Sequence, residues 1–282
     1  MLYYVYIIKA CIYKRTVFFL KKTLIVLAAL FICYMINFWL GIILTLGTVI
    51  FLLIKNNFAV YALFGSRAYR NNNTQKAIKW FEKAIATGKA SGTIRNNYAM
   101  LLLKTGNPKG AEEEFNTVIN SKSCTAEEKR SARQYRCMAY LKQGKKVIAL
   151  SGAKELFAEA KNTITYALMG YLMQLTNTDN NELLALCEEA YDYNSDDRDI
   201  IDNLIVALIR NNQLDRAKKL AAELRKSHPT FVEAFYHSAL IELKLGNKEA
   251  AKEHLSNIPD CRRSFLTTVS EEEIALLEKE AE

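Results

Sequence analysis

Three histidines and six cysteines are the first residues to test for chemistry, because imidazoles and thiolates hold metals and carry nucleophilic or acid–base steps. Their spacing rules most of this out. No pair among His228, His237 and His254 has the helical separation of a zinc site, and no Cys-x-x-Cys occurs. His228 precedes Pro229 at a helix end, where partial positive charge suits the helix dipole, and His254 is expected on an exposed helix face. Cys124, Cys137, Cys187 and Cys261 follow no regular framework and read as small buried thiols in a reducing compartment. The acidic runs Glu112–Glu114 and Glu271–Glu273 are solvated helix starts rather than acid/base pairs, and there is no Gly-rich phosphate loop or G-x-S-x-G elbow. The expectation is a non-enzyme, without cofactor or metal.

The elements that would position recognising residues recur every 34 residues from Phe58 to about Ile258. Tyr61, Phe64-Gly65, Tyr69, Ala77, Phe81 and Ala84 have the spacing of a helix-turn-helix unit in which small residues allow close packing. Adding 34 carries Gly65 to Ala99, Ala77 to Ala111 and Phe81 to Phe115, and Ala217 and Ala251 are again 34 apart. Ala77, Ile78, Phe81, Ala84 and Ile85 share one helical face, Gly88 suits the residue just past a helix end, and Pro108 opens another helix. This pattern resembles the tetratricopeptide repeat (TPR) family. The resemblance implies an all-α, TPR-like helix-turn-helix solenoid of about six repeats that binds proteins or peptides.

The repeats read as Phe58–Ser91, Gly92–Thr125, Arg130–Ala160, Thr163–Asp197, Arg198–Phe231 and Val232–Pro259. Ala126–Lys129 is expected as a short insertion before the third. That repeat is degenerate, with Arg133 and Arg136 where apolar residues are usual, and the Asn177–Asn181 turn of the fourth has one extra residue.

By the resemblance, the first helix of each repeat lines a concave face. The implied partner-binding residues are Ser66, Tyr69 and Arg70, then Asn96, Asn97 and Met100, then Tyr135 and Met138. The later repeats add Tyr171, Asp202, Asn203, Val206, Arg210, Tyr236 and His237. Asn97 and Asn203 are the sharpest choices, because a carboxamide can bond both the N–H and the C=O of an extended peptide. Some members of the family hold a partner's C-terminal carboxylate in a basic clamp. Here Ala62, Ser66, Ser131 and Tyr135 replace its other positions and only Asn97 matches, so that role is not implied.

Charge is segregated along the chain. Residues 1–54 contain no Asp or Glu but carry Lys9, Lys14, Arg15, Lys21 and Lys22; removing these five from the net +8 leaves +3 for residues 55–282. No nucleic-acid partner is expected from so modest a balance. Thr23 to Ile54 is an uncharged run of 32 residues. A crossing needs ~20, and one straight helix of this run would be roughly 48 Å long against a ~30 Å hydrocarbon core. Two short arms, Lys22–Ile36 and Leu40–Asn57, reversing at Asn37-Phe38-Trp39, fit better. Lys/Arg accumulation on the cytoplasmic flank then puts both ends of the hairpin, and the solenoid, inside the cell membrane; a single crossing would put the solenoid outside, in envelope assembly, and an accessory subunit of a membrane complex is a third reading. Met1–Ile8 is apolar and aromatic and suits the headgroup layer.

The expected organisation is a basic, aromatic segment at 1–22, a membrane region at 23–57 contacting the lipid bilayer, the solenoid at 58–260 and a capping helix within 261–282. Ser270 and Glu273 form a capping-box pattern for that last helix, and Ile274 and Leu277 give it a narrow apolar stripe. The expected function is a membrane-anchored scaffold for protein partners.

Overall fold

A computed structural model of the chain describes residues 24–176 and 178–282. Those residues are all-α, two apolar helices followed by a solenoid of helix pairs. The N-terminal segment 1–22 lies outside the described residues.

The chain enters through two apolar helices, α1 (Leu24–Ile36) and α2 (Phe38–Lys55). They break at Asn37, whose extended backbone and side-chain oxygen cap α2 by accepting from the Trp39 and Leu40 N–H groups at 2.9 and 3.2 Å. The turn is tight enough for the Tyr34 ring to lie over Gly41, where no side chain would fit, and for its hydroxyl to meet Thr45 Oγ1 at 3.2 Å. With 18 residues α2 is long and apolar enough to cross a membrane, whereas α1 as described is shorter.

Asn56 alone separates α2 from the solenoid, which runs as six helix pairs. These are α3 (Asn57–Arg70) with α4 (Thr74–Ala86), α5 (Gly92–Lys104) with α6 (Pro108–Asn120), and α7 (Ala126–Lys142) with α8 (Lys146–Glu159). The series continues with α9 (Thr163–Gln174) and α10 (Asn180–Tyr193), α11 (Arg198–Arg210) and α12 (Leu214–Lys226), and α13 (Val232–Lys244) and α14 (Lys248–Leu255). The turn inside a pair needs one residue in the left-handed region. Gly106, Gly144 and Gly246 supply it with φ from 77° to 82°, while Asn72 and Asn212 take the same slot in the first and fifth pairs at 57° and 54°.

The small residues of the 34-residue pattern do what their spacing predicts. Ala77, Ala99, Ala111, Ala149, Ala217 and Ala251 are fully buried, and the two helices of each pair close over them. One continuous core, anchored on Phe115, Leu156, Leu172, Ile205 and Leu208, runs from the second pair to the sixth. Cys137 and Cys187 sit within it, and burial pushes their thiols up to about 11 and about 12.

Two details differ from the sequence reading. Ala126–Lys129 is not an insertion loop but the first turn of α7, a 17-residue helix started by a Thr125–Glu128 capping box. The same Glu128 carboxylate accepts the Thr93 N–H at 2.8 Å, tying α7 to the start of α5. The unusual arginines of this repeat are engaged, Arg133 with Glu159 of α8 at 2.6 Å and Arg136 with Asn116 of α6 at 2.6 Å. His254 is half-buried rather than exposed, and burial followed by the Arg225 charge lowers its pKa.

At the far end, α15 (Glu271–Ala281) begins with the Ser270–Glu273 capping box and lays Ile274, Leu277 and Ala281 on the last pair. It covers an apolar surface that would otherwise face water.

Candidate functional site

The concave face is built from the odd-numbered helices α3 to α13. Where neighbouring ones touch, as α5 does α7, α9 does α11 and α11 does α13, side chains fill the seam. No comparable packing joins α3 to α5 or α7 to α9, and at each of these splayed seams a cavity opens.

The cavity at α3 and α5 has a volume of about 530 Å³ and is lined by Ser66, Tyr69, Arg70, Asn97, Met100 and Lys104, over Phe81 and Leu101. The first five are residues the sequence analysis singled out. Lys104 donates to the Tyr69 hydroxyl and lies over its ring, 4.8 Å from the centroid. Asn97 is exposed, and its carboxamide makes no hydrogen bond to other described residues.

The cavity at α7 and α9 has a volume of about 440 Å³. Tyr135, Met138, Tyr171, Asp202, Asn203 and His237, all expected on the concave face, line it together with Ile164, Leu168, Asp197, Asp199, Phe231 and Glu233. Asn203 is almost fully buried and already engaged: Nδ2 donates to the Ala167 carbonyl at 2.9 Å and Oδ1 accepts from Gln174 Nε2 at 2.7 Å. Its amide staples α11 to α9, passing so close to Gly170 that a Cβ there would come 2.8 Å from Nδ2.

Charge in this second cavity is one-sided. His237 Nδ1 meets Asp202 Oδ1 at 2.9 Å. Burial opposes its protonation, but the Asp202 charge and hydrogen bond, with Glu233, outweigh burial and raise its pKa above the ordinary 6.5. Asp199 reaches solvent at the rim, yet loss of hydration and the nearby Asp197, Asp202 and Glu233 carboxylates raise its pKa too.

Four expected residues lie elsewhere. Asn96, one position from Asn97, points about 100° away around α5. It is buried against α7, its Nδ2 donating to the Glu128 carbonyl at 2.9 Å and its Oδ1 without a partner among the described residues. Arg210 sits at the end of α11 and donates to the Gln174 carbonyl at 2.5 Å. Tyr236 packs with the C-terminal cluster that includes Ile274 and Leu277. Val206 lines neither cavity.

One feature of the site was missed. After the short 3₁₀ turn Ile258–Asp260, residues 261–269 do not form helix but run as a strap over the concave face. The Arg262 N–H donates to the Thr230 carbonyl at 2.7 Å in an isolated parallel bridge with Phe231. Phe265 and Leu266 pack on the main core, the Tyr171 hydroxyl donates to the Leu266 carbonyl at 2.6 Å, and the Thr268 N–H donates to Glu233 at 3.0 Å. Burial, with the charges of Glu233 and Asp199, keeps the Tyr171 phenol protonated as this donor. The signal available in the sequence was slight: an apolar pair, Phe265-Leu266, in an otherwise polar stretch.

Comparison with known proteins agrees with this architecture. The sequence model of the tetratricopeptide repeat family matches residues 63–123 and 203–256. These ranges fall in the first two and last two helix pairs, so the cavity between α7 and α9 lies in the stretch between them. Among solved structures, a tetratricopeptide repeat protein from Parabacteroides merdae is similar with a TM-score of 0.62 at 16% identity, covering 80% of this chain and 84% of that one. PilF of Pseudomonas aeruginosa gives 0.58 at 12% identity over 79% of this chain and 97% of its own. The Cut9–Hcn1 hetero-tetramer gives 0.63 at 14% identity over 79% of this chain but only 42% of that one. No curated protein matches the sequence. At these identities the likeness establishes the fold.

Proposed function

We propose that this chain is a membrane-anchored scaffold that holds protein or peptide partners on its concave face at the cytoplasmic side of the bilayer. The observation that carries this reading is the junction of α2 and α3. An apolar 18-residue helix passes through the single residue Asn56 into the first helix of a binding-type solenoid. A linker so short keeps the concave face beside the bilayer, and Lys55, Arg67 and Arg70 at this junction give it the positive charge that favours the cytoplasmic side. Residues 23–57 supply the anchor, folded back at Asn37, and residues 58–260 the binding platform.

The candidate contacts are those that line the cavities: Tyr69, Asn97 and Met100 near the membrane, and Tyr135, Tyr171 and His237 farther out. Asn203 supports the second cavity as a staple. Topology is tested by placing a cysteine at the exposed Asn120 and treating intact cells with an impermeant thiol reagent. Protection until the membrane is permeabilised is the expected result; labelling in intact cells would instead favour the solenoid outside. A photo-crosslinking residue at Asn97 or Ile164 should give discrete protein adducts, while the same residue at Val147, exposed on the second helix of its pair, should give none.

A further inference from the structure

Resting on the reading of the concave face as a binding surface, we propose that the cavity between α7 and α9 takes an extended peptide presenting a Lys or Arg side chain beside an aliphatic or aromatic one. The argument is charge complementarity over an apolar floor. Tyr135, Met138, Ile164, Leu168 and Phe231 supply the floor, and Ile164 and Tyr135 are markedly exposed there, at 61% and 39%. Asp197, Asp199, Asp202 and Glu233 face the same space from α11, α13 and the turn before α11. Among the described residues no Lys or Arg lines the cavity, and the one basic group there, His237, is held by Asp202. Asp199 has no salt-bridge partner among the described residues. A basic side chain entering here meets Asp199 at the rim and then Asp197 and Glu233, which are partly shielded from solvent, where a pair is stronger than at an open surface.

The strap shows how this wall holds an extended chain. Thr230 and Glu233 accept backbone N–H groups from it, Tyr171 donates to a backbone carbonyl, and Phe265 and Leu266 enter the apolar part. The strap segment Arg262-Arg263-Ser264-Phe265-Leu266 itself couples basic to apolar residues. A partner segment would lie alongside it in the space left open. Basic charge on the ligand is opposite to what the cavity at α3 and α5 would select, since that one carries Arg70 and Lys104 and, among the described residues, no carboxylate.

The test offers the intact chain, purified in detergent micelles, a pooled library of extended decapeptides with randomised charge, followed by fluorescence anisotropy on the enriched peptides. Wild type should enrich Lys or Arg next to an apolar residue. Asp199→Lys should weaken those peptides by roughly tenfold or more and shift enrichment toward Asp and Glu. Ile164→Asp should weaken binding through the floor, and Asp199→Asn, the mildest change, should retain the fold by circular dichroism and show a smaller loss. Enrichment of acidic or uncharged peptides that Ile164→Asp abolishes would overturn the charge assignment while leaving the scaffold reading intact. Basic peptides bound equally well by Asp199→Lys would place them elsewhere and overturn the proposal, as would concentration-dependent self-association lost in Ile164→Asp, which makes a second copy the occupant. If no peptide is enriched and crosslinking at Asn97 also yields nothing, the scaffold reading itself fails.

Discussion

The two cavities of the concave face arise in the same way and differ in nearly everything else. Each opens where consecutive odd-numbered helices splay, but the N-terminal one is basic, with the carboxamide of Asn97 unengaged among the described residues. The distal one is acidic, walled by the strap and floored by apolar side chains, with the carboxamide of Asn203 already engaged. A solenoid repeats its backbone without repeating its surface, because the 34-residue period constrains only the positions that pack. Ala77 and Ala111 are interchangeable by role, whereas the side chains facing the groove vary freely.

The harshest way to break this comparison is to hollow the core beneath one cavity. Leu172 on α9 is fully buried, and Leu172→Ala should cost about 2–5 kcal/mol through lost burial and the void left behind. Since each pair is supported mainly by its neighbours, hydrogen exchange should rise over α7 to α11 well before α3 and α4 respond. Uniform loss of protection along the whole solenoid would show that the two regions are not separable.

A smaller perturbation uses the two asparagines that look equivalent in sequence. Asn203→Ala removes both of that side chain's links from α11 to α9, its donation to the Ala167 carbonyl and its acceptance from Gln174, at a cost of about 1–3 kcal/mol in urea unfolding. Asn97→Ala removes no internal bond and should change stability by less than ~0.5 kcal/mol. Equal costs for the two would contradict the assignment of one as staple and the other as free contact.

The mildest test is pH. The folded-state pKa of His237 is raised by Asp202 and Glu233 despite its burial, so its stabilising contribution is complete below the ordinary 6.5 and is lost as pH rises through the raised value. Unfolding midpoints followed from about pH 5 to about pH 9 should therefore fall in the wild type over that window. They should be flatter in His237→Gln. The charged groups acting on His237 are Asp202 from α11 and Glu233 from its own helix, and both carboxylates favour the protonated ring. The basic cavity, which has no such group, should show no matching change in exchange.

Much of the scaffold was legible because packing leaves a periodic trace. The alanines, Phe81 and Phe115, the Asn107-Pro108 turn, the break at Asn37 and the Ser270–Glu273 cap could each be placed from local rules, and the structure has them in those roles. The misplaced residues share a cause. Asn96, Arg210 and Tyr236 lie on first helices, but a rotation of one residue along a helix turns a side chain by about 100°, enough to carry it from groove to seam. Ala126–Lys129 looked like an insertion because it broke the period, yet Thr125 and Glu128 could start a helix there and did.

By itself the sequence determined the repeating helix pair, the apolar helices ahead of it and the absence of familiar catalytic motifs, since these depend on neighbours a few residues apart or on composition. Only the tertiary structure decided which cavity is acidic, which asparagine is free and where residues 261–269 lie. Asp202, Glu233, Tyr171 and Leu266 come from different repeats and from the terminal strap. Their meeting depends on how successive pairs rotate and splay, a sum of packing contacts that a period in the sequence does not record.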